Sequence, residues 1–325
     1  MAATFAACGV AAALLLVGPE RVTWLADVAY LPYPVFLGPA LVALGLSLRL
    51  RWPWRAAAVA NVALVALVIM DFTFATGARG TQLVRLMTFN VKDYETLLLP
   101  DGAERIEREV ARYDPDILVM QDAGELSSRM GKSAIFQGRH SYSSGEFVVI
   151  SRYPLAGCEE LVKPVPGKRL HHVRCEVRSA DWRLQVHVVH LLSPRHGLGA
   201  LRSATLKGLR EWDDNVDTRM EQARALASFM SESTHPSVIA GDFNAPAHSL
   251  VLRELQSAGY RDAFAQAGRG FGFTYGHALR PGFSFLRLDH VMVDASIGVV
   301  DCFVAPQGVS PHRAVIADLA LRPER

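Results

Sequence analysis

The sequence lacks a strong net charge. Its 325 residues include 34 lysines and arginines against 32 aspartates and glutamates, which leaves a formal charge of +2 at pH 7. This balance excludes a positive field over the whole molecule of the kind that attracts nucleic acid, although it leaves room for a local basic groove. The sequence also contains no repeat of fixed short period.

Cysteine is scarce, and its spacing is uninformative for metal binding. The four cysteines, Cys8, Cys158, Cys175 and Cys302, form no C-x-x-C motif and have no histidines at zinc-finger spacing. A structural zinc site is therefore not expected. Cys158 and Cys175 could pair in an oxidising compartment, but isolated buried thiols are the favoured interpretation.

Charge is also sparse in the first 77 residues, where the hydrophobic excess of the chain is concentrated. The mean hydropathy of the whole chain is +0.16, high for a soluble protein. Three apolar segments cover residues 2–18, 30–48 and 56–77, and each approaches the ~20 residues that cross a bilayer. The first lacks the basic start and small-residue cleavage site of a signal peptide. We therefore predict a membrane anchor of three transmembrane helices in residues 1–78 and a second domain in residues 79–325.

The charges between these segments predict the orientation of the anchor. Residues 49–55 carry three arginines and no acid, whereas residues 19–29 carry Glu20, Arg21 and Asp27. Loops rich in arginine and lysine stay on the cytoplasmic side. The prediction is a multi-pass protein of the cell membrane, with the domain after residue 78 on the extracytoplasmic side.

Residues 237–249 (S-V-I-A-G-D-F-N-A-P-A-H-S) are the most informative stretch of the chain. An apolar run leads into Gly241, and Asp242 and Asn244 follow with one residue between them. This pattern predicts a buried strand that ends in polar groups. Because residues i and i+2 of an extended chain point the same way, a carboxylate and an amide are expected to share one pocket.

Other predicted strands also end or begin in polar residues. The further candidates for the same pocket are Asn90, Asp122, Glu125, His190, Asp289 and His312. Helical spacing of apolar residues predicts helices over residues 103–113, 198–212 and 219–230. Strands dominate, with helices interspersed, which indicates an α/β fold of the α+β or sandwich kind.

The order of these polar positions resembles that of the endonuclease/exonuclease/phosphatase superfamily. The matching stretches are M-T-F-N, P-D-I-L-V-M-Q-D, V-H-L-L at residues 189–192, G-D-F-N, R-L-D-H-V-M-V and S-P-H-R. The resemblance covers about residues 81–325. The resemblance implies a four-layer α/β sandwich, with two face-to-face sheets and helices outside. It also implies hydrolysis of phosphoester bonds with Mg²⁺ or Mn²⁺.

The resemblance further implies a role for each catalytic position. Asp242 is expected to orient and activate the attacking water, and Asn244 to hold a phosphate oxygen. His312 is expected to contact the phosphate while Asp289 orients its ring, in the manner of other oriented catalytic histidines. His190 is expected to supply a second donor to the phosphoryl group.

The same resemblance places a metal ion at Asn90 and Asp122, with Glu125 as a further candidate ligand. A hard cation prefers such carboxylate and amide oxygens. Two positions depart from the family pattern. Asp122 stands where a glutamate is usual, and Pro311 replaces an aspartate that normally helps to bind metal.

The anchor guides the choice of substrate. A similar combination of helices and domain occurs in membrane-bound teicoplanin-resistance (VanJ-like) proteins, which implies a lipid-linked phosphate or pyrophosphate as substrate and the lipid bilayer as partner. Nucleic acid is the less favoured substrate, because the basic run that would bind it is more typical of a solvated helix face than of a binding groove. This run consists of Arg195, His196, Arg202, Lys207 and Arg210. Two alternatives stay open: a membrane-tethered nuclease, and a phosphate- or lipid-binding protein that has lost catalysis through Pro311.

Overall fold

The computed structural model describes residues 1–80, 83–130, 133–165, 168–231, 233, 235–276 and 282–322. Its N-terminal part contains three helices, α1 (Ala2–Val17), α2 (Leu37–Ser47) and α3 (Trp52–Leu64), the last continued by a π-helical turn at Val65–Ile69. Between α1 and α2 the chain forms three short 3₁₀ segments, Pro19–Arg21, Thr23–Tyr30 and Tyr33–Phe36.

The prediction of three transmembrane helices is not supported. In the described residues, only Trp52–Ile69 forms a helix that is long and apolar enough to cross a membrane. The second predicted span fails because Pro32 and Pro34 lack the backbone donors of a helix interior, so that α2 begins only at Leu37. The third helix begins at Trp52, four residues before the predicted start, and ends at Ile69.

After Ile69, the described residues form helices and fourteen strands. In chain order these are β1 (Thr73–Phe74), β2 (Leu83–Asn90), α4 (Asp93–Thr96), α5 (Gly102–Tyr113), β3 (Ile117–Gln121), α6 (Ser127–Met130), β4 (His140–Ser144), β5 (Phe147–Ser151), β6 (Leu155–Val165), β7 (Lys168–Arg178), β8 (Arg183–His190), α7 (Arg195–Leu201), α8 (Leu206–Ser231), β9 (Ser237–Asp242), α9 (Leu250–Ser257), β10 (Arg261–Asp262), α10 (Ala263–Ala267), β11 (Arg269–Gly270), β12 (Asp289–Val293), β13 (Gly298–Val304) and β14 (Val315–Ala320).

Most strands belong to two six-stranded sheets. The strand order is β10-β12-β9-β8-β7-β6 in one sheet and β13-β14-β2-β3-β5-β4 in the other. Within each sheet, one neighbouring pair is parallel, β8 with β9 and β2 with β3, and the others are antiparallel. The short strands β1 and β11 pair separately, so that the chain joins this domain from Thr73 onwards.

The two sheets pack face to face around one apolar core. Val84 and Leu86 of β2 share this core with Val186 and Val188 of β8. Alternate residues of β2, such as Phe89, face the other way and pack on α5. Helices α8 and α9 cover the outer face of the other sheet. Strands that are buried on both faces have continuous apolar sequences. The predicted four-layer α/β sandwich is confirmed.

The register of the central strands gathers the polar strand ends. In the first sheet, Asp242 at the end of β9 lies between His190 on β8 and Asp289 on β12. In the second sheet, Asn90 lies beside Gln121, which Asp122 follows. Contacts between β2 and β9 bring these edges of the two sheets together.

One disulfide bond joins the neighbouring strands β6 and β7. It links Cys158 to Cys175, and the expectation of isolated thiols at these two positions is wrong. The ladder between the two strands runs from the pair Leu155–Val177 to the pair Val165–Lys168, with an irregularity between Ala156 and Glu159. This pairing brings the two cysteines together.

Candidate active site

Asp242 lies at the centre of the site and is almost fully buried. Its Oδ1 accepts a hydrogen bond from the backbone N–H of Asn244 at 2.8 Å, and its Oδ2 accepts one from Asn90 Nδ2 at 3.0 Å. The preceding Gly241 has a φ of 154°, and a Cβ there would lie 1.9 Å from the carbonyl oxygen of Val189. The Gly-Asp-x-Asn pattern therefore reflects a strand end that only glycine can form beside β8.

Asn244 adopts a left-handed backbone conformation, with a φ of 50°. Its Nδ2 donates to the carbonyl oxygen of Leu191 at 2.9 Å, and its own carbonyl oxygen accepts from Arg219 Nη2 at 2.8 Å. These bonds hold the residue at the wall of the cleft that Asp242 faces.

His312 and Asp289 form the first of two histidine–carboxylate pairs. His312 Nδ1 lies 2.9 Å from Asp289 Oδ2, and its Nε2 lies 3.8 Å from Asp242 Oδ2. Burial alone would lower the pKa of His312, but the charges of Asp289 and Asp242 outweigh it and raise the pKa. Ser310 fixes the loop, since its Oγ donates to the Asn90 carbonyl oxygen and accepts from the His312 N–H.

His190 and Glu146 form the second pair. His190 Nδ1 lies 2.8 Å from Glu146 Oε2, and its Nε2 lies 3.6 Å from Asp242 Oδ2. Burial lowers the pKa of His190, yet the hydrogen bond that it donates to Glu146 and the nearby charges of Asp242 and Asp122 raise it overall, to about 9. The two imidazoles thus approach Asp242 from opposite sides, each oriented by its own carboxylate.

Glu146 and Lys92 belong to this site but were not predicted from the sequence. Glu146 follows Gly145 in the turn between β4 and β5, a position that carries no strand-end pattern. Lys92 lies two residues after Asn90, and its Nζ is 2.9 Å from Asp122 Oδ2. The sequence signal for Lys92 was its position just after the polar strand end at Asn90.

The acidic groups at the site fit a divalent cation. Two clusters have ligand atoms within 4.8 Å of one another, namely Asp122 with Glu146 and His190, and Asp242 with Asp289 and His312. In the second cluster Asp289 Oδ1 is buried without a hydrogen-bond partner, as expected of an oxygen that can accept a further positive group. Carboxylate oxygens at this density are suited to a hard ion.

The predicted metal ligands differ in how available they are. Both ends of the Asn90 amide are engaged, because Nδ2 donates to Asp242 and Oδ1 accepts from the Lys92 N–H. The Glu125 side chain is exposed and is not among the residues that line the cleft. Glu125 is thus not brought to the site, whereas Asp122 is.

The cleft above these residues has a volume of about 460 Å³. Lys92, Asp122, His190, Asn244 and His312 line its polar part. The remaining walls are formed by the linker residues Tyr30, Leu31 and Pro32, by the cations Arg195 and Arg202, and by Tyr275, Phe285, Leu286 and Leu288. The cleft therefore combines a polar floor with a wall that is largely apolar and carries two arginines.

Comparison with known proteins agrees with this arrangement. Residues 87–312, more than half of the chain, match the model of the Endonuclease/Exonuclease/phosphatase family. No curated protein sequence matches the chain.

Several solved structures share the fold at low sequence identity. An endonuclease/exonuclease/phosphatase from Beutenbergia cavernae is 21% identical, with a TM-score of 0.55 over 74% of this chain and 72% of its own. D. rerio TDP2 in complex with a single-strand DNA product is 16% identical, with a TM-score of 0.57 over 74% and 99%. The mannosyl-6-phosphatase Bt3783 of Bacteroides thetaiotaomicron is 15% identical, with a TM-score of 0.54 over 73% and 99%.

Proposed function

Because the chain belongs to the endonuclease/exonuclease/phosphatase family, we propose that it is a metal-dependent phosphoester hydrolase that acts in the cleft above Asp242. Members of this family act as phosphatases or nucleases. One observation carries the proposal: the Asp242 carboxylate lies between two histidines, His190 and His312, each paired with a second carboxylate.

Asp242 orients the attacking water and accepts its proton. The Asn90 amide and the Asn244 N–H hold the carboxylate in one orientation, between the two histidines. Such a fixed base lowers the barrier because the water is held in line for attack without further reorganisation. Asn244 holds a phosphate oxygen beside it.

The two histidines act as donors to the phosphoryl group. His312, oriented through Asp289, and His190, oriented through Glu146, each direct their Nε2 towards the region of Asp242. Donors placed in advance around the developing negative charge stabilise the transition state. Lys92 adds positive charge at the same end of the cleft.

The acidic groups near Asn90 and Asp122 would hold the divalent ion, Mg²⁺ or Mn²⁺. When bound, such an ion polarises a phosphoryl oxygen and offsets its negative charge. With Pro311 in place of an acidic residue, Glu146 supplies the nearest further carboxylate to Asp122.

The apolar wall of the cleft favours a lipid-linked phosphate or pyrophosphate as substrate. Tyr30, Leu31 and Pro32 connect the cleft to the N-terminal helices. Most large hydrophobic side chains that are exposed lie on those helices and their ends, including Leu16, Val42 and Trp52. Exposed apolar surface of this extent is typical of contact with a membrane or a partner.

The proposal includes a membrane anchor and an extracytoplasmic domain, as in the VanJ-like proteins. The candidate span Trp52–Ile69 supports the anchor. The disulfide between Cys158 and Cys175 supports the location, because disulfides persist mainly in oxidising compartments. Tethering at the bilayer raises the effective concentration of lipid phosphates at the cleft.

A nuclease is the second candidate, and one observation favours it. Arg195, His196 and Arg202 line the cleft, and a row of cations suits a polyanionic strand. The solved TDP2 structure with a DNA product shows that the fold accommodates such a strand in that protein. The third candidate, a binding protein without catalysis, depends on Pro311.

A substrate panel tests these candidates. Full-length protein in nanodiscs is incubated with Mg²⁺ and a polyprenyl pyrophosphate, a phospholipid or single-stranded DNA, and phosphate or product release is measured. We expect turnover of a lipid phosphate and a loss of at least 10³-fold in kcat for Asp242→Asn. The matched control is Asp301→Asn, which alters an exposed aspartate on β13 and should leave kcat unchanged.

The other outcomes separate the alternatives. Turnover of DNA alone would replace the lipid phosphate with a nucleic acid as substrate. If no substrate is turned over and Asp242→Asn retains phosphate binding, the protein is a binding module.

A further inference from the structure

Lys92 occupies the acidic end of the cleft. Its Nζ lies 2.9 Å from Asp122 Oδ2, and the side chains are only 12% and 14% exposed. The backbone holds it there, since the Lys92 N–H donates to Asn90 Oδ1 and the Asp93 N–H donates to the Asp122 carbonyl oxygen. Lys92 and Asp122 both have positive φ values, 46° and 48°, so each residue of the pair lies in a turn with a left-handed backbone conformation.

The carboxylate that Lys92 contacts is the main predicted metal ligand. Of its two oxygens, Oδ2 is bonded to Lys92 and Oδ1 lies 3.7 Å from His190 Nδ1. The Asn90 amide is already engaged at both ends, and Pro311 supplies no ligand atom. A divalent cation at Asp122 would therefore have to share this carboxylate with an ammonium group of like charge.

We propose that the Lys92 ammonium is the resident cation of this site, and that a divalent ion reaches Asp122 only by displacing it. In the ion-free protein an N–H donor of Lys92 that is not bonded to Asp122 then contacts the phosphoryl oxygen that a divalent ion would otherwise polarise. The inference rests on the proposed function only in that the cleft binds a phosphoryl group.

Metal binding without substrate tests the proposal. Free Mn²⁺ is titrated by electron paramagnetic resonance against the full-length protein and against Lys92→Met and Lys92→Arg. We expect Lys92→Met to bind Mn²⁺ at least 10-fold more tightly than the unchanged protein, because Asp122 loses its competitor. Lys92→Arg keeps the charge and should resemble the unchanged protein.

Two further variants serve as controls. Lys207→Met removes a lysine that is 87% exposed and pairs with Glu211, and should leave Mn²⁺ binding unchanged. Adding Asp122→Asn to Lys92→Met should abolish the gain. The proposal is overturned if Lys92→Met binds Mn²⁺ no more tightly than the unchanged protein, or if the gain survives Asp122→Asn.

A second measurement examines the ion-free state. Inorganic phosphate is titrated calorimetrically in the presence of EDTA, with thermal unfolding recorded for each variant as a check on folding. We expect Lys92→Met to weaken phosphate binding at least 5-fold and Lys92→Arg to change it little. Equal phosphate affinity in a folded Lys92→Met variant would contradict the proposed contact. Neither measurement requires turnover, so an absence of hydrolysis would count against the proposed function alone.

Discussion

Glu109 is a partly buried carboxylate far from the cleft. It projects from α5 towards the turn at Gly308, where a Cβ would lie 1.9 Å from Glu109 Oε2, and its Oε1 has no hydrogen-bond partner. Burial raises its pKa from 4.5 to about 7, against the smaller opposing effects of the Val309 backbone and of Arg105 and Arg112. The folded protein therefore favours the neutral carboxyl group.

This shift predicts a pH dependence of stability at one residue. The cost of ionising Glu109 in the folded state is absent below pH 4.5 and complete above pH 7, so stability falls between these values. Glu109→Gln removes the cost. We expect it to raise the free energy of unfolding by about 2 kcal/mol at pH 8 and to have little effect at pH 4.5.

Denaturant unfolding at the two pH values measures this difference. Glu104→Gln is the control, because it alters an exposed glutamate on the same helix. An equal effect of Glu109→Gln at both pH values would show that burial does not raise the pKa of Glu109.

Single residues of the site differ in how well the sequence predicts them. His190, Asp242 and Asp289 were predictable because each lies at the end of an apolar strand, and adjacent strands of one sheet align their ends. Glu146 was not predictable, because its position depends on the pairing of β5 with β3. This pairing brings the turn between β4 and β5 over the strand ends of the other sheet. The pairing of His312 with Asp289 depended on the family resemblance.

At the scale of elements, the linker between α1 and α2 is joined to the catalytic strand β9. Arg219 on α8 is 1% exposed and donates to Tyr30 Oη at 2.5 Å and to the Asn244 carbonyl oxygen at 2.8 Å. One guanidinium thus binds both the linker and the left-handed residue of the Gly-Asp-x-Asn turn. Its planar fork suits two acceptors at once.

Removal of this guanidinium should affect stability and catalysis together. Arg219→Met leaves the Tyr30 hydroxyl and the Asn244 carbonyl without their partner, so we expect a loss of about 2–4 kcal/mol in unfolding free energy and at least a 10-fold fall in kcat. Thermal unfolding and steady-state assays measure the two effects.

Arg224→Met provides the matched control on the same helix. Arg224 is exposed and pairs with Glu221 one turn away, so its loss should cost less than about 0.5 kcal/mol. If both variants behave alike, Arg219 does not hold the turn.

Helix boundaries show where local patterns stop being sufficient. The helix predicted at residues 103–113 agrees with α5 to within one residue. The helices predicted at 198–212 and 219–230 were divided in the wrong place, because the break falls at Ala204, which has a φ of 52°, and α8 then runs unbroken from Leu206 to Ser231. The polar residues 213–218 lack the apolar spacing of a helix, but contain no proline or glycine to end one.

At the scale of the whole molecule, the fold class followed from the sequence and the membrane topology did not. Apolar runs bounded by polar ends, together with family-like motifs, were enough to predict the four-layer sandwich. Hydropathy alone predicted three spans, whereas one helix of the described residues is long and apolar enough to cross a membrane. A window average does not register that Pro32 and Pro34 delay the start of a helix.

The orientation of the molecule remains a prediction that fusions can test. If the domain lies outside the cytoplasm, as we propose, alkaline phosphatase fused after Arg325 is expected to be active and green fluorescent protein at the same position to be dark. The matched control places each reporter after Arg51, in the arginine-rich turn, where the pattern should reverse. Fluorescence from the fusion after Arg325 would contradict the extracytoplasmic location.

The wall formed by Tyr30, Leu31 and Pro32 has an evolutionary consequence. These residues lie outside the segment that matches the family, which begins at residue 87, yet they border the same cleft as His190 and His312. A change of substrate preference can therefore arise in a short stretch that carries no catalytic group. Comparisons restricted to residues 87–312 would not detect such a change.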